Sequence, residues 1–203
     1  MNVYVESNFV LEQALEQERC ESCERLIGMA SAGLLQLVIP AFSLTEPHST
    51  LLHRKGARLK LNSELVLQFR EIARSKPYRE VSASFLEVAD ILVGSAERER
   101  EALRRSIELM LRTAHVISLD ADVLDQAGKV EAKLKMSAQD SIVLASIMSH
   151  LVKTKPAESC FLNRNTKDFD DSRILQALDE YGCKFFGRFD EGLHYIEARL
   201  ANS

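Results

Sequence analysis

Four acidic residues stand where folding alone does not call for them. Glu6 closes the apolar run Val3-Tyr4-Val5, and Glu46 follows Leu37-Val38-Ile39-Pro40 after one short loop. Asp140 opens the apolar stretch Ile142-Val143-Leu144-Ala145, and Asp168 comes soon after Cys160-Phe161-Leu162. If the strands are parallel and adjacent, all four carboxylates gather at one edge of one sheet. Clustered carboxylates repel one another unless cations lie among them. Oxygen ligands in that number suit Mg²⁺ or Mn²⁺. Such ions activate a water, relieve charge on phosphoryl oxygens and assist a leaving alkoxide. The chemistry this pattern suggests is therefore metal-dependent hydrolysis of a phosphodiester.

Each acid also has a purely structural explanation. Ser43-Leu44-Thr45-Glu46 fits a capping box, and Ser137-Ala138-Gln139-Asp140 has a similar shape. Acids favour the first turn of a helix in any case, and Asp168 can simply end a turn before Phe169. Glu6 is harder to explain this way, because the end of a buried strand is a poor place for a spare charge. The structural explanation must also hold four times over in one chain, so the site explanation is preferred.

The elements that would position these acids alternate. Val3 to Val5, Leu35 to Ile39, Ala114 to Leu119, Cys160 to Leu162 and Lys184 to Phe186 read as strands. Between the first two, one long helix is expected from about Val10 to Ser31, with Gly33 as its stop. A helical stretch begins near Ser43 and runs toward Leu61, with Gly56 as a weak point. Residues from about Asn62 to Leu111 are helical by pattern, broken near Lys76-Pro77-Tyr78. Asp120 and Ser137 are placed to cap the next two helices, and Asp171 to Tyr181 forms another, stopped by Gly182. Alternating strands and helices predict an α/β fold whose parallel sheet of about five strands is covered on both faces. Ligands in such folds bind beyond the carboxyl ends of the strands.

Composition sets further bounds. The 203 residues suffice for one ordinary domain, and 46% hydrophobic with 28% charged residues is a globular composition. No apolar run approaches the ~18 residues of a membrane span. The segment Met1-Asn2-Val3-Tyr4-Val5-Glu6 has no basic and apolar leader pattern, so a cytoplasmic location and no membrane partner are expected. A net charge of −4 argues against a nucleic-acid binder that is basic over its whole surface. It leaves room for a local basic groove. Cys20 and Cys23 have CxxC spacing without a second pair to complete a zinc site, and Cys160 and Cys183 lie in apolar runs as small core residues.

The acids and their neighbours resemble the PIN-domain nucleases, including the toxin members of bacterial toxin–antitoxin pairs. The matching segments are Val3-Tyr4-Val5-Glu6-Ser7-Asn8, Ile39 to Glu46, Ser137 to Ala145 and Phe161 to Phe169. They occur in the family's order, and residues from about Lys60 to Arg112 are largely unmatched. The resemblance implies a three-layer α/β/α sandwich, a single PIN-like domain over 1–203 with a helical insertion at about 60–112. It implies a ribonuclease in which Glu6, Glu46, Asp140 and Asp168 hold Mg²⁺ or Mn²⁺. Asn165 would orient a water or a phosphate oxygen. Asn8, Arg164 and Lys167 would contact substrate.

Two positions depart from the family. Glu6 stands where aspartate is usual, and Asn163 where threonine or serine is frequent. These departures motivate an alternative, a catalytically weak PIN fold used as a binding or assembly module. The implied partners are single-stranded or structured RNA, an antitoxin protein and a second copy of the chain in a homodimer. Arg54, Lys55, Arg58 and Lys60 form a basic run after Glu46, and Ala96 to Glu101 alternates in sign as an exposed helix face does. No tryptophan is present to stack on unpaired bases.

Overall fold

Five short strands form one parallel sheet in the order β3-β2-β1-β4-β5. They are β1 (Asn2–Tyr4), β2 (Gln36–Pro40), β3 (Ala114–Ile117), β4 (Ser159–Leu162) and β5 (Cys183–Phe186). The computed structural model describes residues 1–201, and the side chains of all of these except 81–83 and 85–90. In register, Tyr4 lies beside Val38 on one side and Phe161 on the other. Side chains alternate across a strand, so these three share one face. With Ile147, Leu151, Phe169 and Ile174 they form the main buried cluster. Val3, Leu37 and Cys160 share the opposite face and are also buried. Near-continuous apolar strands are what a sheet covered on both sides requires.

The helices that cover it follow from caps and stops. α1 (Ser7–Ala14) and α2 (Cys20–Ser31) lead to β2. They correct the expectation of one long helix. The chain breaks between them because the fully buried Glu12 carboxylate accepts the Arg19 N–H at 2.6 Å, while Glu16 takes a left-handed φ of 49°. A charge inside an apolar helix face thus ends that helix. α2 stops as expected at Gly33, whose φ of 73° suits glycine.

Later, α5 (Ala121–Leu134) is capped by Asp120, which accepts the Val123 N–H. α6 (Ala138–Thr154) is capped by Ser137, which accepts the Asp140 N–H. After β4 come a short helix, α7 (Thr166–Phe169), and then α8 (Ser172–Asp179). α9 (Phe189–Leu200) follows β5; neither α7 nor α9 was expected from sequence pattern. α9 packs closely on β4, since a Cβ at Gly192 would collide with Leu162 Cδ2.

The chain divides into two compact units, Met1–Pro47 with Arg105–Ser203, and His48–Arg104. α3 (Ala41–Ile72) continues straight through Gly56 and carries Pro47 inside it. A 3₁₀ turn (Lys76–Tyr78) separates it from α4 (Arg79–Thr113). Within His48–Arg104 the two helices run antiparallel, joined where Arg58 donates to Ser95 Oγ at 2.9 Å and Glu99 Oε1 at 2.7 Å. Among the described residues, no helix is long and apolar enough to cross a membrane.

Candidate active site

The strand order reverses at the centre of the sheet. From β1 the chain steps outward through β2 to β3, and from β4 it steps the other way to β5. At such a switch point the connections leave on opposite faces and open a crevice beyond the carboxyl ends of the strands. Glu6 follows β1 after Val5 and Asn163 directly follows β4, so both stand at this crevice.

Glu6 is only 5% exposed, and Ser7 Oγ donates to its Oε2 at 3.1 Å. Burial first, then the Glu46 and Asp140 carboxylates, push its carboxyl up to about 7. Glu46, in the second turn of α3, and Asp140, in the first turn of α6, are thus near enough to be felt at Glu6. The Asp140 carboxyl is also raised, by burial and by Asp168, against hydrogen bonds from Ser137 and Asn165 that hold it down. Ser137 Oγ lies 2.6 Å from Asp140 Oδ2, and Asn165 Nδ2 donates to Asp140 Oδ1 at 3.3 Å. Asp140 thus takes part in the cap of α6 and is also felt at Glu6. At Glu46 no side-chain hydrogen bond to the helix start occurs among the described residues.

Asn163 organises the turn between β4 and α7. It is fully buried, and its Oδ1 accepts from the Asn165 N–H at 2.7 Å and from Asn8 Nδ2 at 2.5 Å. The backbone N–H fixes which end of the amide faces inward. Asn8 Oδ1 and Asn163 Nδ2 are among the six buried side-chain polar atoms without a hydrogen-bond partner among the described residues. Leaving such atoms unpaired costs free energy, and unpaired buried groups concentrate where a ligand or ion is to be met.

The remaining predicted residues are placed differently. Asp168 lies on α7, half-buried, and Lys167 beside it is exposed. Arg164 reaches back to α1, where its Nη1 pairs with Glu12 Oε2. Glu12 was not among the sequence candidates, whereas Asn163 stood out as an amide where the family has a hydroxyl. The signal for Glu12 was a lone acid among Phe9, Val10 and Leu11.

The donor set at the crevice is all oxygen, four carboxylates with the unpaired Asn8 Oδ1, and its chemistry fits a hard divalent cation. As the side chains stand, no group of three or more His, Cys, Asp or Glu among the described residues is arranged to hold a metal ion. Glu46 and Asp140 are felt at Glu6, and Asp168 is felt at Asp140. Neither a protein-family model nor a curated protein matches the chain.

Proposed function

We propose that this protein is a metal-dependent ribonuclease of the PIN-domain type. The observation that carries this reading is Glu6, a carboxylate buried at the switch point of a parallel sheet with two further acids near enough to repel it. A buried acid with no basic partner and two acidic neighbours destabilises the fold. A cation-binding role accounts for its presence.

Glu6, Glu46, Asp140 and Asp168 would hold Mg²⁺ or Mn²⁺. A cation bound there would lower the pKa of an attacking water and neutralise phosphoryl charge. The chain's own contribution is orientation. Ser7 fixes one Glu6 oxygen, and Ser137 and Asn165 fix one Asp140 oxygen each. Asn163 sets the Asn165 backbone and holds Asn8, whose unpaired Oδ1 is available to a ligand. Lys167 is exposed and available to phosphate oxygens. Partnership with an antitoxin, homodimer formation and a cytoplasmic site of action belong to the same proposal.

The test is cleavage of labelled transfer RNA and of an unstructured RNA in Mn²⁺, in Mg²⁺ and in EDTA, with Asp140→Asn alongside. Cleavage that needs metal and disappears in the variant supports the reading. Absence of cleavage by folded wild-type protein in both metals would overturn it in favour of a binding module.

A further inference from the structure

We propose that a cleft beside the β4–α7 turn binds a terminal phosphate of the nucleic-acid strand. The cleft has a volume of about 570 Å³, and Arg19, Arg164 and Arg188 line it together with Thr166 and Glu18. The arginines come from three distant segments, the α1–α2 junction, the turn after β4 and the start of α9. Two acids connect them, Glu12 fully buried and Asp190 partly exposed. Glu12 pairs with Arg164 through Oε2 and accepts the Arg19 backbone N–H through Oε1. Asp190 lies 3.4 Å from Arg19 Nε and 2.6 Å from Arg188 Nη2.

Three guanidiniums therefore face one fully buried carboxylate, Glu12, and one that is 29% exposed, Asp190. Two more acids approach them, Glu18 at 3.9 Å from Arg164 and Glu191 at 3.4 Å from Arg188. Both are well exposed, 76% and 56%, and Arg19, Arg164 and Arg188 are 36%, 43% and 52% exposed, so water screens the charges of acids and bases alike. A guanidinium carries five N–H donors. Glu12 engages Arg164 through Nη1, and among the described residues the Nε and Nη2 hydrogens of Arg164 take no hydrogen bond. Asp190 engages Nε and Nη2 of Arg188, leaving Nη1. These donors are ordered before a ligand arrives, because buried or shared carboxylates hold each side chain in place.

Planar forks of this kind match phosphate oxygens two at a time. A terminal phosphate monoester would offer several acceptor oxygens to these unused donors, and the volume leaves room for its nucleoside. The choice of a nucleic-acid strand rests on the nuclease reading above. Arg164 stands between Asn163 and Asn165, so a strand with its end in the cleft has its following linkages directed toward the carboxylates. The cleft would then select strands by their end.

The test reads binding alone, in EDTA, by fluorescence anisotropy. One labelled hexanucleotide is compared with a 5′-phosphate, with a 3′-phosphate and with neither. The variants are Arg19→Gln and Arg188→Gln, with Arg173→Gln on α8 as control, each checked for an unchanged melting temperature. A phosphate at one end is expected to tighten binding about tenfold. That gain should vanish in either cleft variant, persist in the control and be competed by inorganic phosphate. Equal affinity for all three strands, or a gain that survives both cleft variants, overturns the proposal. Because no cleavage is measured, a negative cleavage result with a positive phosphate gain would reject the nuclease and keep the cleft.

Discussion

Glu6→Gln is expected to stabilise the metal-free protein at alkaline pH. The folded state holds a proton on Glu6 up to about pH 7, whereas the ordinary value is 4.5. Between those values the unfolded chain has released the proton and the folded chain has not. The folded state binds more protons there, so stability falls as pH rises. The contribution is fully present below the unfolded value and is lost as pH climbs through the folded one. Each unit of difference is worth about 1.4 kcal/mol, so the loss between pH 5 and pH 8 is about 2 to 3 kcal/mol. Glutamine keeps the shape and removes the titration. Urea denaturation in EDTA at pH 5, 6, 7 and 8, subtracting wild type from variant, isolates this one group from every other titration. The difference should grow with pH and level off near pH 8. A difference that stays flat within about 0.5 kcal/mol would refute the claim that Glu6 is buried against Glu46 and Asp140. Adding Mn²⁺ at pH 8 should narrow the difference by stabilising the wild type more than the variant.

Three other substitutions probe the scaffold. Asn163→Leu leaves the Asn165 N–H and Asn8 Nδ2 without their acceptor and is expected to cost about 2 to 3 kcal/mol in chemical denaturation. Arg164→Ala strands the fully buried Glu12 carboxylate with only the Arg19 N–H, and the expected loss is about 2 kcal/mol, reduced from a fully buried pair because Arg164 is 43% exposed. Gly192→Ala drives a methyl into Leu162 at the α9–β4 contact and should lower stability by about 1 to 3 kcal/mol; an unchanged melting temperature would show that α9 can shift outward.

What the sequence made legible was whatever is encoded locally. The caps Asp120 and Ser137, the stops Gly33 and Gly182 and the five apolar strands all carry their signal within a few residues, and each lies where the pattern puts it. The break between α1 and α2 does not. It depends on Glu12 reaching Arg19 and on Arg164, which is far away in sequence, and no period reports that. Glu6 and Asp140 were legible as candidates because each follows or opens an apolar run, and Asn165 through the family resemblance alone. Their spacing in the folded chain was not, because burial and side-chain hydrogen bonds set it. Asn163 was legible as an amide in place of the family's hydroxyl, but its three-way contact with Asn8 and Asn165 is a tertiary fact.

The pairing of β1 with β4 has a consequence for how the molecule is born. Val3 lies beside Cys160, so β1 leaves the ribosome well before the strand that covers its second edge. Contacts of such sequence separation form slowly, and domains assemble as units during synthesis. Asp140, Asn163 and Asn165 also arrive late. A nascent chain thus carries Glu6 without the partners that would give it chemistry, and any hydrolytic activity would begin only when the sheet closes at its centre. Over the same interval β1 presents an open edge, the kind of edge to which other strands add. Synthesis speed and chaperone access should therefore govern the yield of this protein more than its final stability does.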